Sequence, residues 1–179
     1  MNRDQIHANA RFAGQVDRYH TWPVHRQQSV GEHTWQVMRI WYRIWGPMPA
    51  GVSTALLWHD VGELVVGDLP FPVKANNPTL KKTVNRLEEN AVFEMGGPTD
   101  KDLKALGVGP VDVVRMKICD LLEMYEFGLI EVGMGNIYAQ PIVDDIADSI
   151  CSLLHSKAPL EDKVLVESFM RGVRSLLCE

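Results

Sequence analysis

His59 and Asp60 stand side by side in the apolar stretch LLWHDVGELVV. Burying an imidazole next to a carboxylate obliges the fold to bring each of them a hydrogen bond, a counter-charge or a metal. The residues that could share this work lie far off in the chain, His33 within SVGEHTWQV and Asp120 within RMKICDLLEMYEFG. Two imidazoles and two carboxylates make a mixed nitrogen and oxygen set suited to a divalent transition metal, with positions left open for water and a further ligand.

The pattern around these residues is helical. Ser29 followed by Glu32 has the spacing of a capping box, which predicts a helix from there to about Trp45, with His33 in its first turn and Val37, Ile40, Trp41 and Ile44 buried. Gly46-Pro47 stops it. A second helix is predicted from near Ser53, and residues three and four apart then place Leu56, His59, Asp60 and Glu63 on one side. The stretch GDLPFP from Gly67 to Pro72 breaks regular structure and leads to Lys74, and Asn76-Asn77-Pro78 breaks it again.

Leu80, Val84, Leu87, Ala91, Val92 and Met95 recur at helical spacing, so an amphipathic helix follows. Residues 99–106 read as one or two helical turns. Pro110 is placed to open a helix running to about Phe127, with Lys117 one turn before a mid-helix Asp120. Two more helical patterns, 144–154 and 160–177, complete the chain. Met1 to Gly14 reads as a short helix or a tail, and Arg18 to Gln28 as an ordered loop. With no alternating strand pattern, the expectation is an all-α bundle, one domain over residues 1–179, with its site on facing helices. Trp35, Trp41 and Trp45 are expected in the core or at a subunit interface.

A hydrophobic fraction of 46% and a charged fraction of 23% exclude disorder as the default reading. A formal net charge of −5 argues against a broad nucleic-acid-binding face, while leaving room for a local basic pocket that takes small anions. Cys119, Cys151 and Cys178 are odd in number and widely spaced, so they form no disulfide framework. Neither a signal-peptide core nor an apolar run of about 20 residues is present, so the expected setting is the cytoplasm, without a membrane.

The order of these residues resembles the HD-domain metal-dependent phosphohydrolases, in particular their 5'-deoxyribonucleotidase-like branch. That pattern has a His, a His-Asp pair and a distant Asp, all on helices. The matching stretches are SVGEHTWQV with His33, WHDVGELVVGDLPFPVK with His59, Asp60, Glu63, Asp68 and Lys74, and KICDLLEMYEFG with Lys117 and Asp120. Upstream, RYHTWPVHRQQSVGEH is similar to short phage-type members, including phage dATP triphosphohydrolases. One departure is that the aromatic after the arginine, commonly Trp in the family, is Tyr19 here, with Trp22 nearby.

The resemblance implies that His33, His59, Asp60 and Asp120 bind one divalent metal, such as Co, Mn, Zn, Fe, Ni or Mg, with room for a second ion at the substrate phosphates. Glu63 becomes the general acid and base. Asp68 is open to four roles: orienting water, binding a sugar hydroxyl, helping to hold a second metal, or shaping a turn. Arg18, Lys74 and Lys117 are aimed at phosphates, and Tyr19 and Trp22 at base or sugar.

The implied reaction is hydrolysis at the phosphorus attached to the 5' oxygen, most simply of dATP to deoxyadenosine and triphosphate. The alternatives are a 5'-deoxyribonucleotidase acting on dNMPs and a catalytically inactive nucleotide-binding module. The expected partner is a small deoxynucleotide rather than nucleic acid. The resemblance further implies a homo-oligomer, dimer or hexamer, in the host cytoplasm if the chain is phage-encoded.

Overall fold

The computed structural model describes residues 10–70, 73–74 and 76–178. Residues 1–9 of the N-terminal stretch, and Phe71 and Pro72 of GDLPFP, lie outside the described residues. After a helical turn at 10–13, two-residue strands β1 (Asp17–Arg18) and β2 (Gln28–Ser29) bracket the segment read as a loop. They pair antiparallel, with Asp17 opposite Ser29 and Arg18 opposite Gln28. Eight α-helices follow among the described residues: α1 (Val30–Trp45), α2 (Ala50–Trp58), α3 (Glu63–Val66), α4 (Pro78–Glu94), α5 (Asp100–Ala105), α6 (Pro110–Gly133), α7 (Gln140–Lys157) and α8 (Leu160–Cys178). The all-α expectation is borne out.

α6 is the axis of the bundle. From Ile118 onward it is buried on nearly every side, packing against α1, α7 and α8. It runs six residues beyond the expected end at Phe127 because its mostly apolar second half has partners on each side and Glu131, within the extension, is itself buried. Contact with α7 is tight at Gly128, where a Cβ would lie 2.6 Å from Val143 Cγ2. α8 is fixed by the fully buried Asp162, which accepts from Trp45 Nε1 at 2.8 Å and from two Arg115 nitrogens at 2.8 and 2.9 Å. One buried carboxylate thereby ties α1, α6 and α8 together.

Of the two placements expected for the tryptophans, Trp41 takes the core, and Trp35, 62% exposed, is left with the subunit interface. Two expectations need correction. Only half of the capping box at α1 forms: Ser29 Oγ accepts from the Glu32 N–H at 3.2 Å, but the Glu32 carboxylate turns to Arg26 at 2.5 Å. The helix predicted through His59 to Glu63 is broken: α2 ends at Trp58, and Val61, Glu63, Leu64 and Val65 each donate to the carbonyl three residues back. The interruption coincides with Gly62, where a Cβ would stand 2.6 Å from the Glu88 carbonyl oxygen and 2.7 Å from its Cα. The chain turns tightly there, against the backbone of α4.

Gly62→Ala forces that contact apart. Overpacking of this kind costs about 1–3 kcal/mol, so the variant should show a lower urea midpoint with an unchanged denaturant slope.

Candidate active site

His33 sits one turn into α1 and is completely buried. Its Nε2 lies 3.3 Å from His59 Nε2, 3.3 Å from Asp60 Oδ2 and 3.3 Å from Asp120 Oδ1. His59 Nε2 and Asp60 Oδ2 are also 3.3 Å apart, so two imidazole nitrogens and one carboxylate oxygen form an equilateral triangle. His59 caps the end of α2, and its Nδ1–H donates to the Leu56 carbonyl at 2.5 Å, which leaves Nε2 as the inward-facing nitrogen.

Ligands of a tetrahedral ion at about 2.0–2.1 Å lie about 3.3–3.4 Å from one another. The triangle is already at that spacing, and His33, His59 and Asp60 form a cluster that could hold a metal ion. Asp120, from the middle of α6, offers a fourth oxygen beside it.

The charges around the triangle are strongly coupled. Burial alone would raise the Asp60 carboxyl, but His59, His33 and Arg18 outweigh it and hold the group below its ordinary range. Arg18 Nη1 donates to Asp60 Oδ2 at 2.9 Å. Burial likewise opposes ionisation of Asp120, which Lys117 and His33 hold well below the ordinary value. Lys117 Nζ donates to Asp120 Oδ2 at 2.5 Å.

Glu63 behaves in the opposite way. Burial, reinforced by the negative charge of Asp60, pushes it up to about 8 against the pull of Arg18. Its Oε2 is buried without a hydrogen-bond partner. At neutral pH it is a carboxylic acid with a proton to give.

A cavity of about 310 Å³ opens from this cluster. Arg18, Asp60, Glu63, Asp68, Lys74, Lys117 and Asp120 line its polar end, and Leu121, Met124, Phe127, Ile142 and Ile146 from α6 and α7 line its apolar wall. Trp22 also faces it. Lys74, however, is paired with Glu88 of α4 at 3.1 Å.

Tyr19 has a left-handed backbone, φ 58°, which a residue with a Cβ rarely adopts. Two contacts support that conformation: its N–H donates to Asp68 Oδ2 at 3.1 Å, and its ring stacks on Phe127 with centroids 4.4 Å apart. The Tyr19 hydroxyl is buried beside the Arg18 guanidinium. Phe127 thus occupies one face of the ring, and Asp68 has one oxygen committed to the backbone.

Four polar residues of this region were not picked out by sequence pattern. Glu123 Oε2 lies 2.6 Å from His33 Nδ1, and Gln28 Nε2 donates to Glu123 Oε1 at 2.6 Å. Glu131 accepts from the His25 and Arg26 backbone N–H groups at 2.8 and 3.1 Å, and Asn136 Nδ2 reaches both Glu131 and the Pro23 carbonyl. The signal for the two glutamates was present, since each interrupts an apolar run of α6 and so needs a partner when buried.

Residues 13–106 match the family described as 5'-deoxynucleotidase YfbR-like. The chain belongs to the YfbR-like family. The match contains His33, His59, Asp60, Glu63, Asp68 and Lys74, and ends before Lys117 and Asp120. Among relatives of this chain, a dATP triphosphohydrolase of Salmonella phage PMBT28 is 30% identical over 159 residues, covering 81% of this chain and 76% of that one.

A 5'-deoxynucleotidase of Vibrio parahaemolyticus is 30% identical over 86 residues, 41% of this chain and 44% of its own. In three dimensions the chain is similar to the cyanophage S-2L HD phosphohydrolase DatZ, solved with dA and one catalytic Zn2+ ion. The TM-score is 0.74 at 21% identity, over 94% of this chain and 96% of that one. The expected HD phosphohydrolase membership and helical fold are therefore borne out. No helix among the described residues is long and apolar enough to cross a membrane.

The raised Glu63 has a consequence for stability. Its ordinary value is 4.5 and its folded value about 8, so between these the unfolded chain loses the proton first and folding becomes less favourable as pH rises. Glu63→Gln removes this loss. In metal-free protein the melting temperature of the variant, relative to wild type, should climb by several degrees from pH 5 to pH 8.5 and then level off.

Proposed function

We propose that the chain is a metal-dependent deoxynucleotide phosphohydrolase that cleaves dATP to deoxyadenosine and triphosphate, as a single domain spanning residues 1–179. The observation that carries the reading is the triangle of His33 Nε2, His59 Nε2 and Asp60 Oδ2 beside the buried Glu63 carboxyl. The phage relative, similar along most of both chains, supports the triphosphate as substrate.

His33, His59, Asp60 and Asp120 would hold one divalent cation. Such an ion supplies Lewis acidity to a phosphoryl oxygen and acidifies water. Its identity is a choice among Zn, Co, Mn, Fe, Ni and Mg, since two imidazoles and two carboxylates accept several of them; the zinc of DatZ favours Zn.

Glu63 provides the proton. With burial favouring its protonated form, it protonates the departing 5' oxygen, and the carboxylate left behind recovers a proton from the attacking water. Arg18 stands at the polar end of the cavity with Nη1 on Asp60, and the other arm of its guanidinium fork can donate to a phosphate oxygen without leaving Asp60. Lys117 is 54% exposed and uses one donor on Asp120, leaving others for the polyphosphate. Lys74 reaches a phosphate only by exchanging it for Glu88.

The apolar wall of Leu121, Met124, Ile142 and Ile146 suits the base and deoxyribose, and Trp22 also lines the cavity. Asp68 acts first by holding the Tyr19 backbone, and its second oxygen is available to a sugar hydroxyl or water. A setting in the cytoplasm of a host cell fits the phage relative.

Purified protein supplied with Zn2+, Co2+ or Mn2+ should release deoxyadenosine and intact triphosphate from dATP, resolved by chromatography. Inorganic phosphate from dNMPs alone would instead make it a 5'-deoxynucleotidase, the activity named for the Vibrio relative, and no turnover of either would leave a binding module. Asp120→Asn should lose bound metal and turnover together. Glu63→Gln should keep the metal and lose roughly 10²–10⁴-fold in kcat, the usual worth of a general acid.

A further inference from the structure

Glu123 touches no part of the cavity, yet it makes the shortest contact of the buried His33 ring, 2.6 Å from Oε2 to Nδ1. Its other oxygen accepts from Gln28 Nε2 at 2.6 Å. His33, Glu123 and Gln28 are each at least 98% buried, so this is a chain of three buried side chains. We propose that Glu123 is the positioning residue of the metal centre, fixing the His33 ring and tautomer so that Nε2 faces the ligand cluster, and that Gln28 in turn fixes Glu123. The proposal rests on the metal reading above.

The chemistry runs in one direction. A carboxylate can only accept, so Nδ1 of His33 carries the hydrogen and the lone pair of Nε2 is directed at the cation, alongside His59 Nε2 and Asp60 Oδ2. With one oxygen on each partner, Glu123 has none free to swing toward the cluster. The Gln28 amide is oriented by the same logic, because turning it over would set oxygen against oxygen. Its own Oε1 is left buried without a partner, a cost that the charge-assisted bond to Glu123 offsets.

Gln28 also reaches the cluster by a second route. Its backbone pairs with Arg18 in the β1–β2 ladder, and Arg18 holds Asp60. One residue of a two-residue strand therefore steadies two members of the triangle, His33 through its side chain and Asp60 through its main chain. Glu123 stands three residues after Asp120 on α6, which puts both carboxylates on the helix face that meets His33.

A different role for Glu123, a counter-ion that merely stabilises a buried imidazolium, predicts the opposite sign. Removing its charge would then release the His33 proton and leave metal binding unchanged or tighter. The test is equilibrium affinity for Zn2+ and Co2+, measured by chelator competition on metal-stripped full-length protein, together with the metal-free melting temperature. Wild type should bind one equivalent. Glu123→Gln should bind 10–100-fold more weakly, the usual effect of losing such a partner, with an altered Co2+ absorption spectrum. Glu123→Asp should recover part of the affinity.

Gln28→Leu, which leaves the ladder intact, should weaken binding in the same direction by a smaller factor, and it carries the test if Glu123→Gln fails to fold. Unchanged or tighter binding with a lowered metal-free melting temperature would overturn the positioning role and leave the metal reading standing. Failure of wild type to bind either ion would overturn both.

Discussion

His33 is fully buried with carboxylates facing both of its ring nitrogens, Glu123 at Nδ1 and Asp60 and Asp120 at Nε2. An imidazole in that position cannot be solvated, so every polar atom around it has to come from the protein. Burial would favour the neutral ring, but Asp120 and Glu123 push it up to about 9. Three elements meet at the ring: α6 gives Asp120 and Glu123 one turn apart, the turn after α2 gives Asp60, and α1 gives the histidine itself. Moving any of the three elements would leave a buried charge uncompensated, which is far more costly than losing a surface ion pair.

The segment between β1 and β2 meets this scaffold without regular structure of its own. Its backbone is caught from below by Glu131 of α6, which is held below its ordinary range: burial opposes ionisation, but hydrogen bonds from Asn136, His25 and Arg26 outweigh it. On the cavity side, Asp68 secures the strained Tyr19 and Phe127 stacks on its ring. A left-handed tyrosine persists only when its surroundings over-determine it. The conformation sets the Tyr19 ring against Phe127 beside Arg18, whose guanidinium stands 5.6 Å from the ring centroid. That arrangement walls one side of the cavity, and Arg18 keeps its grip on Asp60.

Much of this was legible in the chain. Periodic apolar residues marked the helices, and the scarcity of ionisable groups in apolar settings singled out His33, His59, Asp60 and Asp120, which the structure brings together. What escaped was set by tertiary contact. The break after Trp58 coincides with the close approach of Gly62 to Glu88, two residues 26 positions apart, and helical periodicity carries no trace of that. Lys74 reads as a free cation until α4 places Glu88 beside it. Glu123 was visible as an acid in an apolar helix, but period alone puts it one turn past Asp120 without saying that the ring it meets is His33. Trp35 shows the converse, because an aromatic side chain on a buried helix need not be on its buried face.

The cations lining the cavity share one arrangement: Arg18 is paired with Asp60, Lys117 with Asp120 and Lys74 with Glu88. Each pair holds a donor near the mouth of the cluster while cancelling most of its charge, so the pocket avoids the self-repulsion that three bare cations would create. A polyphosphate brings its own negative charge and competes for these donors most effectively where the acid has something else to bind. Asp60 and Asp120 have that alternative in a cation shared with His33, whereas Glu88 has none. Arg18 and Lys117 are thus the donors that metal binding would free, and Lys74 stays tied to α4. An ion that neutralised those carboxylates would turn the surrounding cations toward phosphate, and metal occupancy and substrate affinity would then be coupled through ordinary charge balance.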